Sequence, residues 1–129
     1  MKTIGEFYKE KILSLPKKLL TRIILPENSS EIKIEKRLFK WELRCEKEVL
    51  ECESEEEARY LKIFVESGLR EVYIPKDKNY LKQILPELEN LKKDIDEIII
   101  FYTSGLLNKK IKEKVISEVY KEIIKYDEE

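Results

Sequence analysis

The stretch from Leu38 to Pro75 constrains this chain most, because it spells a hairpin, a capped helix and a short strand in direct succession. Phe39, Trp41, Leu43 and Cys45 alternate with Lys40, Glu42 and Arg44, the period-2 pattern of a half-buried strand. Leu50 and Cys52 repeat the alternation on the return. With Glu46-Lys47 as the turn, Leu43 faces Leu50 and Trp41 faces Cys52, so both strands put their apolar residues on one side. Ser54-Glu55-Glu56-Glu57 reads as a capping box, with Ser54 at the N-cap. The three glutamates also complement the positive end of the helix dipole. Ala58, Leu61, Phe64 and Val65 give that helix its buried stripe, and Gly68 supplies the left-handed residue that ends it. Val72-Tyr73-Ile74 is then a short strand, stopped by Pro75.

The flanking segments extend this unit. Ile32 and Ile34 alternate with Lys33 and Glu35, which predicts a further strand of opposite parity to Phe39–Cys45. A bulge or bend near Lys36-Arg37 is expected to reconcile the two. Three antiparallel strands result, over roughly 31–36, 38–45 and 48–53. Upstream, Ile4, Phe7, Tyr8, Ile12, Leu15, Leu19, Leu20 and Ile23 recur at helical spacing, with a break at Pro16 and a possible short strand over 21–25. Downstream, Asp77 caps a helix whose apolar residues Leu81, Ile84, Leu88, Leu91, Ile95, Ile98 and Tyr102 follow a 3.5-residue period. Pro86 is expected to kink or restart it. Ser104-Gly105 breaks that helix, and Asn108 caps a last one with the stripe Ile111, Val115, Val119 and Ile123. The predicted fold is α+β: a single domain over 1–129, with a small antiparallel sheet of three to four strands, helices packed on it and a C-terminal helical hairpin.

Composition narrows the function classes. Hydrophobic residues make 42% of the chain and charged residues 41%, which fits a soluble globular protein with a densely charged surface. The Glu, Lys and Ile enrichment with a lone Gln83 resembles hyperthermophile usage. The net charge of −1 hides an uneven distribution. Residues 1–44 hold 11 Lys/Arg against 6 Glu, whereas residues 45–57 hold Lys47 against seven Glu. No apolar run approaches a membrane span, and the charged N-terminus is not expected to act as a signal peptide. The expected location is cytoplasmic.

The side-chain inventory removes most catalytic classes. There is no His, so a serine hydrolase triad, a zinc enzyme and a two-histidine metal site are excluded. Gly5, Gly68 and Gly105 stand apart, so no glycine-rich phosphate loop exists. Cys45 and Cys52 fit no zinc spacing, and Cys52 shares the apolar strand face with Trp41. Glu46, Glu48, Glu51, Glu53 and Glu55–Glu57 lack the Asp/Asn spacing and glycine turn of a calcium loop. No metal, no cofactor and no catalytic residue is assigned. Glu31-Ile32-Lys33 carries the acidic-x-Lys pattern of a restriction-type metal nuclease, with Glu6, Glu10 and Glu27 as the upstream carboxylates.

Ser54-Glu55-Glu56-Glu57-Ala58-Arg59-Tyr60-Leu61-Lys62-Ile63-Phe64-Val65-Glu66-Ser67 resembles a segment in the C-terminal regions of Eco57I-like adenine-N6 DNA methyltransferases. There an acidic-acidic-Ala-x-Tyr-Leu helix follows a strand and a polar turn, and precedes a strand, a proline and long helices. The resemblance covers residues 48–76. The family's Asn-Pro-Pro-Tyr-type motif and cofactor loop are missing here, so the resemblance implies a DNA-recognition or accessory module, not a methyltransferase. It assigns no functional residue.

Three functional expectations follow. The leading one is a non-enzymatic interaction module that binds a protein partner or forms a homo-oligomer through Ile98, Ile99, Ile100, Phe101 and Tyr102, a stretch apolar almost all round its helix. The second is a nucleic-acid-binding accessory domain using Lys33, Lys36, Arg37, Lys40 and Arg44 on one sheet face. The third is a divergent nuclease centred on Glu31 and Lys33.

Overall fold

The structure, a computed structural model, describes residues 2–27 and 31–104, with Tyr102 and Thr103 by backbone only. Helix α1 covers Ile4–Tyr8, opened by Thr3, whose hydroxyl accepts from the Glu6 N–H, and it continues as a π-helical turn over Lys9–Leu13. After Pro16 and a short 3-10 turn comes strand β1, Leu20–Ile24. Strands β2 (Lys33–Arg37), β3 (Lys40–Arg44) and β4 (Val49–Cys52) follow, then helix α2 (Glu55–Glu66), strand β5 (Glu71–Pro75) and helix α3 (Lys78–Thr103).

The fold is α+β, and its five described strands divide between two antiparallel sheets, β2-β3-β4 and β1-β5. In the first sheet Trp41 pairs with Cys52 and Leu43 with Leu50, the register the alternation predicts. The parity change before it has a simpler origin than a bulge. A two-residue turn at Leu38-Phe39 sets Ile34 opposite Leu43 and Lys36 opposite Trp41. Phe39 therefore leaves the strand and sits at the turn.

Both ends of α2 fall where its sequence places them. The Ser54 hydroxyl accepts from the Glu57 N–H at 3.1 Å. The Glu57 carboxylate reaches back one residue further than a capping box requires, to the Glu53 N–H. At the other end the Leu69 N–H donates to the Phe64 carbonyl and the Gly68 N–H to the Val65 carbonyl, a Schellman closure. Gly68 has φ +85°, which a side chain would resist.

Helix α2 packs on the inner face of the three-stranded sheet and against α3. Phe7 and Ile12, Leu43 and Cys52, Tyr60, Leu61 and Phe64, Val72 and Ile74, and Leu81 and Leu88 meet in one core. Inside it, the Tyr60 and Phe64 rings pack at a 51° tilt with centroids 4.9 Å apart. Two phenols there close the inner edge of β5: the Tyr73 N–H donates to the Tyr8 hydroxyl at 2.8 Å, and the Tyr60 hydroxyl donates to the Tyr73 carbonyl at 2.6 Å.

Helix α3 refines the expectation at two places. It runs through Pro86 without a restart. Pro86 and Lys82 are both exposed, so water can reach the carbonyl that loses its helical donor. Its buried line follows Leu81, Ile84, Leu88 and Ile95 as predicted, but at two positions moves by one residue, to Lys92 and Ile99. Leu91 and Ile98 are left half-buried. A strict 3.5-residue repeat drifts by about 20° per heptad on a straight helix, so the buried line slips forward. The expected cap at Asn108 and the second helix of the hairpin lie outside the described residues.

Candidate interaction surfaces

The outer face of the three-stranded sheet is a charge pattern in rows, fixed by strand register. Lys33 lies beside Arg44, Glu35 beside Glu42 and Glu51, and Arg37 beside Lys40. The carboxylate row thus runs between two cationic rows, and ion pairs cross between them. Arg37 reaches Glu35 at 3.2 Å and Glu42 at 3.5 Å. Arg44 reaches the same two at 3.8 and 3.2 Å. Lys40 meets Glu51 at 3.0 Å and Lys33 meets Glu31 at 3.9 Å. A phosphate at this face competes with carboxylates already in place.

Lys36 does not belong to that face. The two-residue turn puts it on the inner side with Trp41, its Nζ 5.9 Å from the indole centroid. Four of the five residues expected to contact nucleic acid therefore share one face, each with a carboxylate partner, and the fifth lies across the sheet.

The tip of the β2–β3 hairpin is its opposite in character. Leu38 is 90% exposed and Phe39 97% exposed. Leu38 also holds φ +49°, left-handed backbone that favours Gly or Asn. A tight hairpin normally recruits polar turn residues. Here two large apolar side chains take their place, between Arg37 and Lys40.

The C-terminal end of α3 divides the expected interface. Ile99 is buried and Ile98 half-buried, whereas Ile100 is 66% and Phe101 76% exposed. The side chain of Tyr102 lies outside the described residues. The apolar character that reads as one patch in sequence serves two purposes, core and surface.

A few further titratable groups lie in clefts or in the core. A cleft of about 330 Å³ opens where α2 and α3 begin, lined by Thr21, Ile23, Ser54, Glu57, Ile74 and Lys76 among others. Burial pushes the Glu57 carboxyl up from its ordinary value, against the opposing pull of the Glu53 N–H. A groove of about 320 Å³ between α2 and α3 holds the Arg59–Glu89 ion pair and the buried Lys92, whose Nζ lies 2.6 Å from Asp96. Burial pushes the Cys52 thiol up to about 12, and Cys45 is raised by the same cause. Both cysteines are free and buried.

Of the nuclease residues, Glu31 and Lys33 come together as an ion pair, while Glu10 is held 2.6 Å from Lys2. Among the described residues no group of three His, Cys, Asp or Glu side chains is placed to hold a metal ion. No described helix is long and apolar enough to cross a membrane.

Sequence reasoning missed two features. The turn at Leu38-Phe39 lacks Gly, Asn or Asp, which hid it. The outer edge of β1 has no composition signal and emerges only from strand pairing. Comparison with family models, with curated proteins and with solved structures finds no match to this chain.

Proposed function

We propose that this chain is a non-enzymatic interaction module that self-associates and offers the β2–β3 hairpin tip to a protein partner. The observation that carries the reading is the tip itself. Two large apolar side chains stand in solvent on a turn whose backbone does not suit leucine. Backbone strain kept at an exposed site points to use rather than to folding. Exposed Ile100 and Phe101 at the end of α3 supply a second apolar surface of the same kind.

The reading places the module in the cytoplasm, where Cys45 and Cys52 stay thiols, and in a thermophile. On the second point, a melting temperature above about 90 °C is the expected result, and one in the range of ordinary mesophile domains would contradict it. The nucleic-acid reading is disfavoured by the carboxylate row between the cations of the sheet face.

Light scattering across a range of concentrations, with and without a generic DNA duplex at low salt, tests the proposal. Mass that rises with concentration and ignores DNA supports it. A monomer that binds DNA at low salt, and less at higher salt, replaces it with the nucleic-acid reading.

A further inference from the structure

The hydrogen-bond alternation of the β1–β5 ribbon determines what each of its edges presents. The Lys76 N–H donates to the Leu19 carbonyl, and the Leu25 N–H donates to the Arg70 carbonyl. The register pairs Arg22 with Tyr73 and Ile24 with Glu71. In an antiparallel ladder hydrogen-bonded and non-bonded pairs alternate, so odd-numbered residues of β1 bond to β5. The backbone groups of Leu20, Arg22 and Ile24 point away from β5, and no described strand pairs with that edge. The Leu20 N–H turns back to Lys17. That leaves the Leu20 carbonyl, both Arg22 groups and those of Ile24 along the edge.

Natural edge strands carry lysine, proline or a bulge against pairing. Strand β1 has none over Leu20–Ile24, and its one charge, Arg22, is engaged by Glu71. Ile24 is 58% exposed.

We infer that a second copy of this chain pairs antiparallel with β1 along this edge, centred on Arg22, to make a continuous four-stranded β5-β1-β1-β5 sheet across a two-fold axis. The inference rests on the self-association proposed above and names its seam. Centring on Arg22 sets the exposed Ile24 of each copy opposite Leu20 of the other, whose side chain is already buried in its own core. The two Arg22 residues exchange a pair of backbone bonds, and each Ile24 N–H donates to the Leu20 carbonyl across the axis. The same register brings the Lys17–Lys18 turn of one copy to where β1 of the other runs out toward Glu27, so opposite charges meet at both ends. Two like charges oppose each other at the centre, each held by its own Glu71. A strand pairing about one residue is self-complementary, which selects a closed dimer over a fibre.

Residue-resolved hydrogen exchange on the full chain, at a dilute and a concentrated condition, tests the seam beside light scattering of the same samples. The expected result is a dimer in which the Arg22 and Ile24 amides slow tenfold or more on concentration, while the Thr21 and Ile23 amides, already bonded to β5, change little. Ile24→Lys should remain monomeric where the parent is dimeric, with an unchanged melting curve. A dimer whose Arg22 and Ile24 amides do not respond overturns the seam and leaves self-association standing. A monomer at every concentration overturns both.

Discussion

The two edges of the β1–β5 ribbon face opposite fates. On β5 the Tyr73 backbone is met by the hydroxyls of Tyr8 and Tyr60, which accept from its N–H and donate to its carbonyl. On β1 the Arg22 backbone faces away from β5, with no described strand beside it. An edge that lies inside a protein must be satisfied, because an unmet buried amide or carbonyl costs about 1–3 kcal/mol. An edge at the surface carries no such penalty, since water can meet it. Side chains close one edge and leave the other able to accept a strand. The hairpin tip extends the contrast, since its apolar residues stand in solvent while those of α2 are sealed.

Substitutions separate the sealed side from the open one. The largest effect belongs to Tyr60→Ala, which removes a fully buried ring packed on Phe64. A loss of about 3–5 kcal/mol is expected, as for other buried aromatics, read from denaturant midpoints. Tyr8→Phe and Tyr60→Phe keep the rings and delete one hydroxyl each. Each should cost about 1–3 kcal/mol by orphaning a group of Tyr73. A phenylalanine as stable as the parent would show that the hydroxyl was not needed to close the edge.

On the open side the sign reverses. Leu38→Gly relieves the left-handed backbone, which costs a non-glycine residue about 1–2 kcal/mol. Glycine also loosens the unfolded chain by about 0.4–1 kcal/mol, so a net gain of at most about 1.6 kcal/mol should appear as a raised melting temperature. A lowered melting temperature would show that the leucine side chain is packed rather than presented.

The smallest effect is one of pH. Burial raises the folded-state value of Glu57 above its ordinary 4.5. The folded state therefore holds this proton more tightly, and ionising the group costs stability as pH rises from 4.5 through the folded value. Glu57→Gln should melt higher than the parent at neutral pH, and the advantage should vanish below the ordinary carboxylate range. An advantage that persists at low pH would point to packing rather than charge. The same burial leaves Cys52 a thiol at neutral pH, so it should resist alkylation until the chain unfolds.

Much of the fold is written locally. Alternation gives the β3–β4 register, because a one-residue slip would turn Leu43 and Cys52 outward. Ser54 and Gly68 mark the ends of α2, since each acts on backbone groups within a few residues. The line of α3 is legible at Leu81, Ile84, Leu88 and Ile95. Past Leu88, helical drift and tertiary contact choose Lys92 and Ile99 over Leu91 and Ile98 on either side of Ile95. The surfaces are less legible still. Glu35 and Glu42 already interrupt the basic stretch in sequence, and strand pairing adds Glu51 to them as one row between Arg37–Lys40 and Arg44. Phe39 reads as core by alternation, and the turn exposes it. The pairing of β1 with β5 joins residues some fifty apart in sequence, so neither of the ribbon's edges is visible in local pattern.

The most direct measurement is amide exchange at Tyr73 and Arg22 in dilute solution, two residues paired across one ribbon. The account predicts an amide at Tyr73 that is slow, held by the Tyr8 hydroxyl within the core, and one at Arg22 that exchanges at least a hundredfold faster. Equal protection at the two positions would contradict it, since the outer edge would then be as closed as the inner one.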